Sequence, residues 1–276
     1  MNNESLLRGS LRANAVFSAV SGVLALALAQ RVGALLALPA VVVSVTGGAL
    51  VVFALSLGAL SLRARVSSPW SVLATALDVG WVVLSAVLLA VHSVPSVALV
   101  LGLAAVVAVF ALAQVEGHRR ALFVSGRGVY ALSRTVAASP ERAWRVVSDV
   151  AGYAQVAATL HRSEIVSGSG LGMVRKCEDT QGVCWTETCT RWEEGAAYAF
   201  EVDTRAPGYP LPLASMRGDF EVAPGAGGGA VVRVAFGFEP KGGWGTAALL
   251  GLVFAARGDA QVGAIMAKWA AQAEAG

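Results

Sequence analysis

Apolar residues crowd the first part of the chain and thin out after it. Four runs, residues 13–29, 41–62, 71–91 and 94–115, are almost free of charge. Each holds about 17–22 residues, and at ~1.5 Å per helical residue that spans most or all of a ~30 Å hydrocarbon layer. The breaks carry fitting chemistry. Gln30-Arg31-Val32-Gly33 closes the first run and Arg63-Ala64-Arg65 follows the second. Ser68-Pro69 reads as an N-cap and first-turn proline, and His92-Ser93-Val94-Pro95 as a tight turn. Trp70 sits where an interfacial anchor belongs.

Past residue 128 the period changes. Residues 129–137 read as a strand, and Ser139-Pro140-Glu141-Arg142 as the start of a helix. Asp149 reads as the cap of a second short helix ending near Leu160. Strands then follow at 162–167, 173–179, 183–192, 197–204, 215–222 and 230–239, separated by turn-rich breaks such as Gly168-Ser169-Gly170 and Gly225-Ala226-Gly227-Gly228-Gly229. A final helix is expected over 246–273. Serial strands with short turns make an antiparallel sheet, and one long helix must cover its inner face.

Alternation identifies that face. Val183, Trp185, Glu187, Cys189 and Arg191 oppose Cys184, Thr186, Thr188 and Thr190. Tyr198, Phe200 and Val202 oppose Glu201 and Asp203. Met216, Gly218, Phe220 and Val222 oppose Arg217, Asp219 and Glu221, and Val232, Val234, Phe236 and Phe238 oppose Arg233. The inner face is therefore aromatic and aliphatic, with Glu187 set into it and Arg175 a candidate to join it. The expected ligand-lining set is Arg175, Trp185, Glu187, Tyr198, Phe200, Met216, Phe220 and Phe236, with a mouth at 206–212 and 242–245. Glu187 has two readings: a general acid/base in an apolar setting, or a carboxylate paired with Arg175 or Arg191.

Composition sharpens the division. The chain is 56% hydrophobic and 14% charged, against about 25% charged for ordinary soluble domains. The charges of residues 1–116 are Arg8, Arg12, Arg31, Arg63, Arg65, Glu4, Asp78 and Glu116. The expected organisation is a transmembrane domain over 1–116, a polar linker over 117–128 and a soluble domain over 129–276. Arg8, Arg12, Arg63, Arg65, Arg119 and Arg120 share one side of a four-span topology, and Arg31 has the other. The positive-inside rule then places both termini and the C-terminal domain in the cytoplasm, on a multi-pass protein of the inner (plasma) membrane. Ala27-Leu28-Ala29 also fits a signal-peptidase site; cleavage there would leave three spans and the same side for the C-terminal domain. Asp78 falls near mid-bilayer, where it is expected to hydrogen-bond within the bundle, to Ser44, Thr46 or Ser56, rather than to form a lone proton pathway.

The net charge of +3 forms no basic stripe, so no nucleic-acid partner is expected. Cys177, Cys184 and Cys189 match no metal spacing and no disulfide framework. No metal and no cofactor is expected. No nucleophile–base arrangement appears, and His161 is read as a surface residue at a helix-to-strand junction. The pattern sets no oligomeric state.

Several features together carry a resemblance: Ala138-Ser139-Pro140-Glu141-Arg142-Ala143-Trp144 ahead of Asp149, Gly172-Met173-Val174-Arg175, Gly182-Val183-Cys184-Trp185-Thr186-Glu187, the glycine-rich hairpin before Ala230, and the terminal helix. Residues 129–276 resemble the START-like helix-grip (SRPBCC) superfamily, especially its polyketide cyclase/dehydrase and lipid-transport branch. The first half resembles four-span bacterial membrane domains. The resemblance implies an antiparallel sheet wrapped around a long C-terminal helix, with an apolar cavity between them. It implies a membrane-tethered domain, with membrane lipids and a hydrophobic small molecule (lipid, isoprenoid/quinone or polyketide-like) as partners. A cyclase/dehydratase-type enzyme is the alternative; a structural or regulatory module with a filled cavity is the third reading.

Overall fold

The computed structural model describes residues 4–275, which fall into two compact units divided between Ala121 and Leu122. The first unit is helical: α1 (Ser5–Ala27), α2 (Ala29–Leu36), α3 (Ala40–Ser61), α4 (Pro69–Val91) and α5 (Val97–Leu122). Four of these, α1, α3, α4 and α5, are long and apolar enough to cross a membrane.

Polar contacts lengthen the helices beyond their apolar runs. α1 begins at Ser5 because its polar first turns have partners. The Glu4 carboxylate accepts from the backbone N–H groups of Val66 and Ser67 at 2.9 and 3.1 Å. The Arg8 guanidinium donates to the carbonyl oxygens of Ser61, Arg63 and Ala64. Gln30–Gly33 does not end a helix; α1 breaks at Leu28 and the chain turns helical again as α2, which stops at Ala37 in the left-handed region. α5 runs on through residues 117–122, where a linker was expected, and Glu116 supports this extension by pairing with Arg119 and Arg120 one turn on, each at 2.6 Å. Leu122 is followed by the Phe123–Val124 and Arg127–Val136 strands. Arg8 lies at the α3–α4 turn, and His118 of α5 meets Ser67 of that turn (3.2 Å). Arg31 belongs to α2, at the end where Ser96 N–H reaches the Leu35 carbonyl at 3.1 Å. Arg8 and Arg63 thus share one end of the unit.

Two contacts lock the bundle. Gly22 and Gly47 bring α1 and α3 together: a Cβ on Gly22 would lie 2.8 Å from the Gly47 carbonyl oxygen, the close approach that small residues permit between membrane helices. Asp78 is buried, and its Oδ2 accepts from Asn14 Nδ2 and Gln114 Nε2, both at 2.7 Å. Gln114 Oε1 accepts in turn from Thr75 (2.8 Å), and Asn14 Oδ1 from Ser18 (3.0 Å). These partners correct the expectation of Ser44, Thr46 or Ser56. Amides on α1 and α5 reach the carboxylate, whereas the Ser56 hydroxyl donates to its own helix at Val52 (2.9 Å). An amide at position 78 keeps an oxygen acceptor. Asp78→Asn is therefore expected to leave unfolding in detergent within about 1 kcal/mol of wild type, and Asp78→Leu, which orphans two buried amides, to cost about 1–2 kcal/mol. Equal losses for both would show that the charge, not the acceptor, matters.

The second unit contains β1 (Phe123–Val124), β2 (Arg127–Val136), α6 (Pro140–Val147), α7 (Tyr153–Val156), β3 (Leu160–Ser167), β4 (Val174–Asp179), β5 (Cys184–Glu193), β6 (Ala197–Val202), β7 (Leu213–Pro224), β8 (Ala230–Pro240) and α8 (Trp244–Ala275). The eight strands form one sheet in the order β1-β2-β8-β7-β6-β5-β4-β3, every neighbouring pair antiparallel. Ser125 and Gly126, both at positive φ, make the two-residue turn that pairs β1 with β2. By length and composition α8 also qualifies as a span, but it buries Leu250, Val262, Met266 and Trp269 in the core of its own domain. Phe254 stacks on Phe238 at 4.8 Å, Trp269 meets Phe220 at 6.1 Å, and Gly258 gives way to the Tyr130 ring, which a Cβ there would touch at 2.9 Å. The sheet wraps around a long terminal helix: a helix-grip fold.

Candidate functional site

Cross-strand register turns the inner face into a set of rows. One row runs Arg175–Glu187–Val202–Met216–Phe238 from β4 to β8. The next holds Cys189, Phe200, Gly218, Phe236 and Tyr130, and the one beyond it Trp192, Tyr198, Phe220, Val234 and Leu132. Side chains in a row are neighbours, as are those in the rows above and below. The alternating pattern places all eight expected residues on this face. It fails at one point: a bulge between Cys189 and Arg191 inserts a residue into β5 and reverses the faces beyond it. Arg191 therefore lies outside, bonded to Glu193 and Glu221, and Trp192 turns inward to stack on Tyr198 at 5.8 Å. Arg191 is not the partner of Glu187.

Arg175 is the partner. Its Nε and Nη2 both donate to Glu187 Oε2, at 2.9 and 2.5 Å, and the pair is buried, with side-chain exposures of 3% and 9%. Trp185 Nε1 donates to the other carboxylate oxygen at 2.8 Å. The guanidinium carbon lies over the rings of Phe200 (4.3 Å) and Tyr153 (4.7 Å), a cation–π arrangement that is strongest away from water. Burial, the largest single influence, works against the guanidinium charge, but Glu187, joined by Cys177, Tyr198 and Tyr153, outweighs it and holds the Arg175 pKa above its usual value. Arg175 Nη1 is buried and has no hydrogen-bond partner among the described residues.

The residues around the pair divide into two groups. Tyr198, Phe200 and Phe220 are almost fully buried. Tyr198 stacks on Phe220 at 4.7 Å, its hydroxyl donates to the Val147 carbonyl at 2.8 Å, and Phe220 meets Trp269 of α8 directly. These three form a packed floor. Trp185, Met216 and Phe236 are half-buried. Tyr209, from the loop before β7, sets its ring edge-on to Trp185 at 5.5 Å, and its hydroxyl donates to Met216 Sδ at 3.3 Å. That loop is tied to the one before α8: Lys241 N–H reaches the Pro212 carbonyl at 2.7 Å, and its Nζ reaches the Thr204 carbonyl at 2.9 Å. Tyr153, Trp192 and Trp269 escaped the alternation argument: two lie on helices and the third follows a bulge.

His161 is exposed on β3, away from this cluster. Cys177, beside the pair on the inner face, is fully buried; burial, then the neighbouring Glu187 charge, pushes its thiol up to about 12. Burial likewise raises Cys189, and Cys184 is half-buried. The thiolate is the reactive form. Iodoacetamide at pH 8 is therefore expected to label Cys184 alone in the folded chain and all three cysteines after denaturation, read by peptide mass. Rapid labelling of Cys177 in the native chain would contradict this packing.

The fold defines a helix-grip domain with a polar pair sunk in an aromatic face. The family described as polyketide cyclase / dehydrase and lipid transport matches residues 129–270, just over half the chain, and the chain belongs to that family. No curated protein matches it. Similar solved structures include Ara h 8.0201, at 17% identity and a TM-score of 0.41, covering 52% of this chain and 98% of that one. XoxI from Bacillus cereus is 14% identical, with a TM-score of 0.42 and coverages of 51% and 94%. Zhui aromatase/cyclase from Streptomyces sp. R1128 is 18% identical, with a TM-score of 0.42 and coverages of 52% and 93%.

Proposed function

We propose that the second unit binds a hydrophobic small molecule (a lipid, an isoprenoid or quinone, or a polyketide-like compound) on the inner face of its sheet. Four spans tether it to the inner (plasma) membrane, with both termini and the binding domain in the cytoplasm. One observation carries this reading: half-buried Trp185, Tyr209, Met216 and Phe236 adjoin a fully buried Arg175–Glu187 pair. Small-molecule sites combine an apolar lining with a few fixed polar groups in this way. Tyr198, Phe200 and Phe220 serve as the floor beneath the ligand. A molecule that partitions into lipid is reached most readily by a domain held at the bilayer, which is what the spans provide.

The family description covers both cyclases and carriers, and binding is the better supported activity. Both Glu187 oxygens are engaged, one by Trp185 and the other twice by Arg175. Solvent extraction of the purified full chain, followed by mass spectrometry, is expected to release one hydrophobic compound near 1:1 stoichiometry. Met216→Trp, which enlarges a half-buried lining residue, should reduce that yield several-fold while the chain stays folded. The same yield from both proteins would place the compound elsewhere and sink the reading. Reporter fusions after residue 275 and within 37–39 test the topology; an extracytoplasmic signal from the first would overturn it.

A further inference from the structure

We infer that the C-terminal domain pairs with a second copy of itself along β3, edge to edge and antiparallel, about a two-fold axis at Ser163. This concerns a surface and not the ligand site, and it holds whatever the inner face binds.

β3 is the last strand of the sheet, bonded to β4 on one side alone. The opposite end of the sheet is β1, a strand of two residues. An edge strand presents a row of backbone N–H and C=O groups to any chain that lies beside it. Irregular pairing at Leu160/Arg162 and at Ile165/Ser167 leaves Arg162, Ser163, Glu164 and Ile165 as the regular stretch. Ile165 and Val166 are exposed at this edge.

Charge selects both the partner and the register. Ser163 and Ile165 stand opposite Cys177 and Arg175 on the inner face, so Arg162 and Glu164 stand on the outer face, opposite Glu178 and Lys176. In a two-fold pair, a residue that meets another is met by it in return. A continuous sheet also sets outer residues beside outer residues, so the axis must pass through a residue and not between two. With the axis at Ser163, Arg162 of each copy faces Glu164 of the other. The outer row then runs Glu178, Arg162, and Glu164 and Lys176 of the second copy. Its charges alternate in sign across the seam, and the symmetry repeats the row. An axis at Arg162 sets two arginines face to face, and one at Glu164 sets two glutamates; like charges directly opposite are destabilising. An axis at Ile165 puts Glu164 opposite Val166, with no counter-charge. Arg162 and Glu164 already pair within one chain at 2.7 Å, both at the surface. The seam merges two such pairs into one neutral cluster.

A single strand seam is small beside the ~1,200–2,000 Å² of standard stable interfaces. Copies tethered in one bilayer, as proposed above, meet at a raised effective concentration, and that is where the seam closes.

The test uses full chains in liposomes, with donor or acceptor fluorescent proteins fused after residue 275. The background is the transfer from a donor-labelled chain to an acceptor on an unrelated single-span peptide at the same density. Wild type is expected to exceed this background at least threefold. Arg162→Glu, which leaves only carboxylates at 162 and 164, should fall to background, and so should Glu164→Arg. With the donor on one variant and the acceptor on the other, each Glu faces an Arg, and transfer should return to at least half the wild-type level. Wild type at background would overturn the inference. Transfer that both single changes leave intact would also overturn it, by placing the contact elsewhere on the chain. Loss in both single variants without recovery in the mixture would do the same, because the substitutions would then damage the chain and not the seam.

Discussion

Glu187→Ala is expected to destabilise the C-terminal domain by about 3–5 kcal/mol, the cost of leaving one partner of a buried ion pair alone. The reason is local. Arg175 is 3% exposed, and Glu187 is its only carboxylate partner among the described residues. Removing the carboxylate strands a guanidinium among Phe200 and Tyr153, and Trp185 loses its acceptor as well. Replacing both members by methionine removes the stranded charge, so the double substitution should recover most of the loss. Hydrogen exchange of peptides covering 174–202 reads the effect within this domain alone. An Ala variant that exchanges like wild type would mean that water reaches the pair, and that it is not the dry site described.

Gly22→Leu should damage the membrane unit most. The added Cβ would stand 2.8 Å from the Gly47 carbonyl oxygen and 2.9 Å from a Val51 methyl. A backbone oxygen cannot rotate away, so α1 and α3 must separate. The separation would also strain the Asn14 bond to Asp78. The expected cost is at the upper end of the ~1–3 kcal/mol of overpacked cores, or beyond it. Gly48→Leu is the internal control, since nothing lies within 4 Å of a Cβ there. Unfolding in increasing denaturing detergent should separate the two; equal behaviour would dismiss the Gly22–Gly47 contact as a packing constraint.

Much of the architecture was legible because each period has a single physical cause. The apolar runs mark the long apolar helices α1, α3, α4 and α5, and strict alternation marks the inner face: Glu187 and Cys189 are buried while Thr186 and Thr188 are exposed. The misses came where a tertiary contact overrode the local pattern. Glu4 and Arg8 find backbone partners at the α3–α4 turn, so α1 extends into polar sequence. Glu116 does the same for α5. The β5 bulge adds one residue, which no alternation reveals, and it exchanged the places of Arg191 and Trp192. Asp78 was recognised as needing partners, but Asn14 and Gln114 sit on other helices. Which amide meets which carboxylate depends on helix rotation. On the inner face, alternation marks the strand residues and is silent on the helix residues Tyr153 and Trp269, because only a strand announces its inner face every second position.

Photo-crosslinking of the full chain in nanodiscs, with a diazirine-bearing aryl ketone and peptide mass spectrometry, tests the binding claim most directly. Labels are expected on peptides holding Trp185, Tyr209, Met216 and Phe236, and unlabelled 2-acetylnaphthalene should suppress them. Labels confined to α1, α3, α4 and α5, unaffected by competitor, would contradict the claim that the helix-grip domain holds the ligand.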